Sequence, residues 1–209
     1  MAYDDEEQLE AIRAWWHRYG RTVIVTVAAA LAVVIGWQQW GAWQDRQMAA
    51  AASDYAAILA SLNAGDREAA ANRLEVLREG HADSPYAAMA TLAVATAEFS
   101  ADEAGAAADS LGWIPANQPG SPLAVVARLR RAEALSAAGD DQSALMALEP
   151  PPEGPLRPRY LELQGDLEAA LGNTDAAIDA YRQALEETGG QRRSLLEIKL
   201  FDLGGAPAS

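Results

Sequence analysis

An uncharged, apolar stretch near the start of the chain limits what this sequence can fold into more than any other feature. Residues 22–44 carry no formal charge, and Arg21 and Asp45 bound them. As an α-helix this stretch would rise about 34 Å, whereas the hydrocarbon core of a bilayer is about 30 Å thick. The sequence therefore predicts a transmembrane helix over residues 22–44.

Tryptophan flanks this stretch on both sides. Five of the six tryptophans lie there: Trp15, Trp16, Trp37, Trp40 and Trp43. Because such amphipathic rings are enriched at headgroup depth, we expect these side chains to lie at the membrane interfaces. The alternatives are a buried core helix and a cleaved signal peptide. Tryptophan at both ends argues against the first, and the acidic residues 4–7, where a signal peptide is basic, argue against the second.

The charges on either side of the stretch predict its orientation. Arg13, Arg18 and Arg21 precede it, whereas only Arg46 follows it closely. Since positively charged flanks remain in the cytoplasm, residues 1–21 are predicted to be a cytoplasmic segment. The remainder is expected on the opposite side, which in a bacterium is the periplasm. The predicted location is therefore the bacterial inner membrane, crossed once.

The rest of the chain is acidic and free of cysteine, and much of it is alanine. The formal charge of the whole chain is −14, and the arginines are scattered singly. Such a surface repels phosphate backbones, which excludes nucleic acid as a partner. Alanine favours helices that pack closely, and runs of β-branched residues are confined to residues 22–35. We therefore expect an all-α protein.

A repeat is visible beyond residue 45. Each turn signal is followed by an alanine five residues later and a large side chain nine residues later. Prolines that suit the first position of a helix precede three of the turns by 17 residues. The turn positions are Gly65, Asp102, Gly139 and Gly172; the alanines are Ala70, Ala107, Ala144 and Ala177; the large residues are Leu74, Leu111, Leu148 and Tyr181; the prolines are Pro85, Pro122 and Pro155. The pattern predicts antiparallel helical hairpins stacked into an α-solenoid over residues 45–203.

The last unit, residues 159–188, is similar to a tetratricopeptide repeat. Gly165 stands where two helices of that repeat approach closely, and Gly172 stands at the turn. The face that packs on the neighbouring helix consists of Ala177, Tyr181 and Ala184. The resemblance implies a tetratricopeptide-like array.

The other units are less regular. Three consecutive prolines, residues 150–152, shorten the third unit, and a loop over residues 113–120 is predicted to end the second. An amphipathic helix over residues 191–203 is expected to cap the array. Residues 204–209, rich in glycine, alanine and proline, are expected to form a disordered tail.

No motif for catalysis, cofactor binding or metal binding is present in the sequence. The two histidines, His17 and His81, have no partner at the spacing of metal ligands or of a catalytic triad. A phosphate-binding glycine-rich loop is also missing. We expect a protein that is not an enzyme and has no cofactor.

The most specific motif of the chain is the stretch EEQLEAIRAWW at residues 6–16, followed by Tyr19, Gly20, the apolar span, Gly36, Trp37 and Trp40. With these residues the chain resembles the YfgM-type ancillary subunit of the bacterial SecYEG translocon; the resemblance runs the full length and is specific over the first 43 residues. The resemblance implies one membrane anchor with a cytoplasmic N-terminus and a periplasmic repeat domain. It also implies binding to SecYEG and to a membrane-anchored periplasmic chaperone of the peptidyl-prolyl isomerase-like type. A role in assisting unfolded secreted clients, and a link to an envelope stress response, are implied as well.

Two functional hypotheses remain open at this stage. The first is an adaptor or chaperone-like accessory subunit of the translocon, whose stacked hairpins offer a groove to a partner segment. The second is a negative regulator that sequesters a signalling component. For either function, partner binding is predicted on the first helices of the second and third units, at Met89, Thr96, Arg128 and Arg131.

Overall fold

The computed structural model describes the backbone of residues 2–205, with the side chains of residues 13, 15–22, 24–189 and 192–205. All regular secondary structure in this range is helical, which confirms the predicted all-α class. The helices within residues 2–205 are α1 (Ala2–Asn63), α2 (Arg67–Gly80), α3 (Pro85–Ser100), α4 (Ala104–Asn117), α5 (Pro122–Ala137), α6 (Asp141–Leu148), α7 (Arg157–Ala170), α8 (Thr174–Glu186) and α9 (Gly190–Asp202). The chain divides into two units, Met1–Ala50 and Ala51–Ser209.

The first unit consists of helix α1 up to Ala50. Its apolar side chains are uncovered, and each of the following exposes more than half of its surface: Ile24, Val25, Val27, Leu31, Val33, Val34 and Ile35. Within the described residues, Trp15–Asn63 is the only helical stretch long and apolar enough to cross a membrane, and only 6% of its most apolar window is buried. Since uncovered apolar surface is unfavourable in water, this unit has the composition of a membrane anchor.

The second unit is a stack of antiparallel helix pairs. The last residues of α1 pack with α2 and α3 through Ile58, Leu74 and Val94, which belong to one buried cluster. Further along the stack α3 packs on α4, α5 on α6, α7 on α8, and α9 follows α8. Within the stack α5 contacts both α3 and α7, so these three helices lie side by side.

The turns between the helices of each pair lie where the sequence predicts them. At each predicted turn position the backbone has a positive φ angle: Gly65 77°, Asp102 61°, Gly139 87° and Gly172 82°. The N–H groups of each turn residue and of its successor donate to carbonyls of the preceding helix, for example Gly65 to Leu62 and Asp66 to Ser61. Glycine suits this left-handed conformation because it has no Cβ, and aspartate tolerates it better than most residues. The predicted turns are confirmed.

The predicted packing positions are confirmed as well. The four alanines that follow the turns by five residues are completely buried: Ala70, Ala107, Ala144 and Ala177. The four large residues at the ninth position each expose only 3% of their surface: Leu74, Leu111, Leu148 and Tyr181. A small side chain lets the second helix approach its partner, and a large one fills the space beside it.

Two of the three predicted helix starts are confirmed, and the third is wrong. Ser84 and Ser121 accept hydrogen bonds from backbone N–H groups two residues later, and a proline follows each serine at the first helical position. In the third unit α7 begins at Arg157, two residues after Pro155. Gly154 has a φ angle of 87°, and its carbonyl accepts from the Arg157 N–H, so a turn occupies the predicted helix start.

The loop predicted at residues 113–120 is wrong over its first five residues, because α4 continues through Pro115 to Asn117. Burial explains why the helix persists. Ile114 is completely buried, and the guanidinium of Arg78 lies 4.9 Å from the ring centre of Trp113. The expected shortening of the third unit is found, since α6 has only eight residues and ends at Leu148, with one residue between it and the prolines.

Helix α9 occupies the place of the predicted capping helix. Its buried residues, Leu196 and Leu200, join the cluster formed by α7 and α8. The helix ends in a turn where Gly204 has a φ angle of 75° and the Gly205 N–H donates to the Leu200 carbonyl. Most of the expected tail, residues 206–209, lies outside the described residues.

Candidate binding surface

A small cavity opens between α3 and α5, the first helices of two successive hairpins. Its volume is about 90 Å³. It is lined by Ala95, Thr96, Phe99 and Ser100 of α3, Leu111 of α4, and Arg130 and Glu133 of α5. Sites for small molecules usually enclose about 300–1,000 Å³, so this cavity suits one inserted side chain better than a cofactor.

The cavity combines an apolar wall with a charged one. Phe99 exposes 45% of its surface, and Leu111 is buried behind it. On the opposite wall Arg130 is exposed, while Glu133 is half-buried and paired to Arg159 at 2.9 Å. This arrangement suits an apolar side chain carried by a peptide, because the exposed guanidinium of Arg130 at the rim can donate to carbonyls of the peptide backbone.

Two of the predicted partner-binding residues lie on the outer surface of α3. Met89 exposes 38% of its surface, and Thr96 is also exposed. They are seven residues apart, which is about two helical turns, so they lie on one face of the helix. Thr96 lines the cavity, and its hydroxyl donates to the Leu92 carbonyl at 2.7 Å.

The other two predicted residues are engaged within the domain. Arg128 is half-buried, and its guanidinium donates to the carbonyls of Glu149 at 3.1 Å and Pro150 at 2.9 Å. Arg131 is half-buried against α4, where its Nε would lie 3.3 Å from a Cβ added to Gly112. Neither arginine lines the cavity beside Thr96. Partner binding by Met89, Thr96, Arg128 and Arg131 stays a prediction.

Sequence reasoning missed Phe99 and Arg130. The alanine spacing in α5 gives no signal that separates the two arginines. Arg131 follows the buried Ala127 by four residues, and Arg130 precedes the buried Ala134 by four.

A charged cluster joins α7, α8 and α9. At its centre Glu162 is only 2% exposed and lies 3.0 Å from Arg159 and 3.1 Å from Lys199. Lys199 also contacts Asp166 at 2.6 Å. Burial by itself would raise the pKa of Glu162, but Lys199 and Arg159 outweigh it and hold that pKa below its ordinary value. The carboxylate is therefore charged at neutral pH and ties α7 to α9.

Tyr181 belongs to the same cluster. Its hydroxyl donates to Asp166 at 2.8 Å, and burial together with this carboxylate raises the pKa of the phenol. A Cβ added to Gly165 would lie 2.5 Å from the Tyr181 ring, so only glycine permits this approach. The close approach predicted at Gly165 is confirmed. Among the described side chains, no group of three or more His, Asp and Glu is arranged to hold a metal ion.

The five tryptophans of the predicted belts are all exposed on α1. Trp37 exposes 81% of its surface, and the other four expose about half or more. Trp15 packs beside Tyr19, with ring centres 6.0 Å apart, and Trp40 beside Trp43 at 5.6 Å. The rings are therefore exposed on both sides of the apolar stretch and can contact whatever surrounds the helix. Their position at membrane interfaces stays a prediction.

An uncovered apolar helix combined with a stack of helical hairpins defines an all-α repeat protein with a candidate membrane anchor. Comparison with known families agrees with this class. The tetratricopeptide repeat-like domain family matches residues 13–205, and the chain belongs to this family.

The chain is also similar along its whole length to proteins named ancillary SecYEG translocon subunit. The one from Aggregatibacter actinomycetemcomitans is 28% identical and the one from Haemophilus influenzae 24% identical, each over 205 residues. Both alignments cover 97% of this chain and 100% of the relative. A third, from Neisseria gonorrhoeae, is 28% identical over 96% of this chain and 97% of the relative. The resemblance inferred from the N-terminal residues is confirmed.

Proposed function

We propose that this chain is an accessory subunit of the bacterial Sec translocon. In this proposal residues 22–44 anchor it in the inner membrane, and residues 45–203 form an adaptor domain on the periplasmic side. The observation that carries the proposal is the full-length similarity to ancillary SecYEG translocon subunits, which includes both the apolar helix and the repeats. The uncovered apolar surface of α1 supports the anchor independently.

The adaptor domain binds its partners through the groove between α3 and α5. Phe99 provides an apolar contact, Arg130 provides a cation, and Thr96 lines the α3 wall together with Phe99. Tetratricopeptide-like arrays bind extended or helical segments along their first helices, so a segment of SecYEG or of a periplasmic peptidyl-prolyl isomerase-like chaperone fits this surface. Unfolded secreted proteins are further candidates for the same groove.

The proposed orientation predicts where a reporter works. A reporter enzyme that folds only in the cytoplasm, fused after Ser209, is expected to be inactive, because three arginines precede the anchor and one follows it closely. The same reporter fused at residue 1 is expected to be active. The measurement is enzyme activity in intact cells at matched protein levels. An active fusion after Ser209 would place the repeat domain in the cytoplasm and contradict the orientation.

The groove predicts a separation of binding from folding. Changing Phe99 to aspartate or Arg130 to glutamate is expected to lower capture of SecYEG or periplasmic chaperones at least tenfold, corresponding to about 1.4 kcal/mol. Val76, which is 64% exposed on α2, is the matched control, and its change to aspartate should leave capture unchanged. The measurement is pull-down from solubilised membranes with quantification of each partner, and helicity by circular dichroism verifies folding.

A chain that begins at Asp45 provides the second arm of this experiment. It is expected to remain helical but to capture partners more weakly, because an anchor beside the channel supplies an effective concentration of roughly millimolar. Arg128 is unsuitable as a groove probe, since its loss also frees the carbonyls of Glu149 and Pro150. Undiminished capture by the full-length groove variants would exclude the groove, and loss of capture by the chain that begins at Asp45 would then assign the contact to the missing residues of α1.

A further inference from the structure

Two arginines at the beginning of the apolar stretch have no counterion on their own helix. Arg18 and Arg21 are exposed, and within the described part of the chain neither side chain forms a hydrogen bond or an ion pair. The sequence contains no aspartate or glutamate over residues 11–44. Because residues meet on a helix surface only at separations of three or four, no carboxylate of α1 can pair with either arginine. An anion that pairs with them on this helix would have to come from another molecule.

The position of these arginines along α1 corresponds to the headgroup layer of a bilayer. Arg21 borders the uncharged residues 22–44, and Arg18 lies about 4.5 Å further out along the helix axis. One headgroup layer is about 5–8 Å thick, since a bilayer of about 40–45 Å encloses a hydrocarbon core of about 30 Å. Along the same axis Arg13 lies about 12 Å from Arg21, and Glu10, the nearest acidic residue, lies about 17 Å from it. Arg18 and Arg21 therefore lie within the layer, whereas Arg13 and Glu10 lie beyond it.

The charged and the aromatic side chains of this segment lie on opposite sides of the helix. At about 100° per residue, the three arginines before the span fall within an arc of about 140°. Trp15, Trp16 and Tyr19 fall within an arc of about 100° that is centred on the opposite side. Gly20 is buried because the Trp16 ring lies over it, and a Cβ added to Gly20 would lie 3.3 Å from three atoms of that ring. One side of the helix therefore offers flat aromatic surface, and the other offers cations.

The spacing of the two arginines suits a phosphate group. They are three residues apart, so their Cβ atoms lie about 5–6 Å from one another. Guanidinium groups bind phosphate oxygens with two parallel hydrogen bonds, and two neighbouring guanidinium groups can hold one phosphate between them. The headgroup of phosphatidylcholine carries its own cation beside the phosphate, whereas phosphatidylglycerol carries a net negative charge. Two arginines without a carboxylate therefore favour the anionic lipid.

We propose that Arg18 and Arg21 form a binding site for the phosphate group of an anionic phospholipid. The site rests on the proposed membrane anchor, and it adds a ligand that the groove of the repeat domain does not involve. In the proposed orientation it lies in the cytoplasmic leaflet, whose surface carries the anionic lipids that attract basic residues next to a span. The aromatic side of the helix contacts the boundary between headgroups and hydrocarbon, where such rings are enriched.

Lipid retention by the full-length chain tests the site. The chain is reconstituted in vesicles that contain equal amounts of phosphatidylglycerol and phosphatidylcholine, and the lipids that remain bound after gentle extraction are counted by native mass spectrometry. We expect the unchanged chain to retain phosphatidylglycerol over phosphatidylcholine by at least about fivefold, because each basic residue near the surface adds to the attraction. The double variant Arg18→Gln with Arg21→Gln is expected to retain the two lipids within about twofold of one another.

The matched control is the double variant Arg13→Gln with Arg46→Gln, which changes the net charge of the chain by the same amount. Arg13 lies beyond the headgroup layer. Arg46 lies on the other side of the span, where it follows Asp45 directly and its Nε donates to the Ala42 carbonyl at 2.9 Å. The control is therefore expected to keep the preference of the unchanged chain for phosphatidylglycerol.

Two results would overturn the proposal. Equal retention of both lipids by the unchanged chain would leave the two arginines to a carboxylate of another protein. An equal loss of preference in both double variants would show that net charge alone attracts the lipid. Recovery of each variant with the vesicles on flotation measures insertion separately. A chain that does not insert contradicts the proposed anchor and this site with it, whereas an inserted chain without lipid preference contradicts the site alone.

Discussion

Replacement of Gly165 by leucine is expected to destabilise the repeat domain by about 3 kcal/mol, at the upper end of the usual cost of overpacking a core. Even the first added atom, a Cβ, would lie 2.5 Å and 2.6 Å from two carbons of the Tyr181 ring. That ring cannot easily move away, because it is 3% exposed and its hydroxyl is bonded to Asp166. Separation of α7 and α8 is the remaining way to accommodate the leucine.

Gly105 provides a matched control for this substitution. It also lies in a helix of the repeat domain, α4, but no heavy atom lies within 4 Å of a Cβ added there. Leucine at this position is expected to stabilise the domain by up to about 1 kcal/mol, because leucine favours helix more than glycine does. The two variants therefore change stability in opposite directions although the chemical change is identical.

Urea unfolding of a chain beginning at Asp45, followed by circular dichroism at neutral pH, measures both effects. If Gly165→Leu unfolds at the same urea concentration as the unchanged chain, α7 and α8 do not approach closely at this position. A second check is Tyr181→Ala combined with Gly165→Leu. Once the ring is removed, the double variant should have nearly the same unfolding free energy as Tyr181→Ala alone.

Gly165 illustrates what the sequence predicts well. Turns, small packing residues and large packing residues recur at fixed offsets, and each offset has a direct physical cause in the geometry of a helical hairpin. The four turn positions therefore all have positive φ angles, including the aspartate at position 102. Local chemistry alone was sufficient for these features, since each depends on residues close together in the chain.

The two errors about helix limits have different causes. Pro115 indicates a break in α4, but Ile114 is buried by tertiary contacts and the helix continues through Asn117. The helix start expected at Pro155 is displaced by the neighbouring Gly154, whose left-handed conformation extends the turn to Arg157. Only the first error depends on residues distant in the chain.

The lining of the cavity was anticipated only in part for the same reason as the end of α4. The cavity lies between the two first helices that the sequence analysis selected, and Thr96 lines it, but Phe99 and Arg130 were not selected. Arg128 was selected as an exposed cation, whereas it bonds to carbonyls 21 and 22 residues away. Whether a charged side chain faces solvent or another part of the chain depends on tertiary contacts, which a single sequence does not contain.

The charged cluster of Glu162, Asp166, Arg159 and Lys199 was also not predicted from the sequence. Removing its lysine is the second substitution for which we expect a large loss of stability. Replacing Lys199 by methionine is expected to destabilise the domain by about 2–3 kcal/mol at neutral pH. Removing one partner of a buried ion pair typically costs about 3–5 kcal/mol. A lower value is expected here, because the Lys199 side chain is 25% exposed and Arg159 still pairs with Glu162.

Arg193 on the same helix is the matched control. It forms an ion pair with Glu197 at 3.0 Å, but the two side chains are 45% and 40% exposed. Changing Arg193 to methionine should therefore cost only about 0.5 kcal/mol or less, as is usual for exposed pairs one turn apart. Both variants lose one positive charge from α9. A difference in unfolding free energy between them therefore reports the loss of the partner of the buried Glu162 carboxylate, and not the change in net charge.

The dependence on pH separates an electrostatic role of Lys199 from simple packing. Because the pKa of Glu162 in the folded domain lies below its ordinary value of 4.5, its pairing stabilises the domain at neutral pH. That stabilisation is lost as the pH falls below 4.5 and the carboxyl group takes up a proton. The difference in unfolding free energy between the unchanged chain and Lys199→Met should therefore shrink between pH 7 and pH 3.5. Urea unfolding at the two pH values measures it, and a difference that stays constant would indicate that Lys199 contributes through its methylene groups alone.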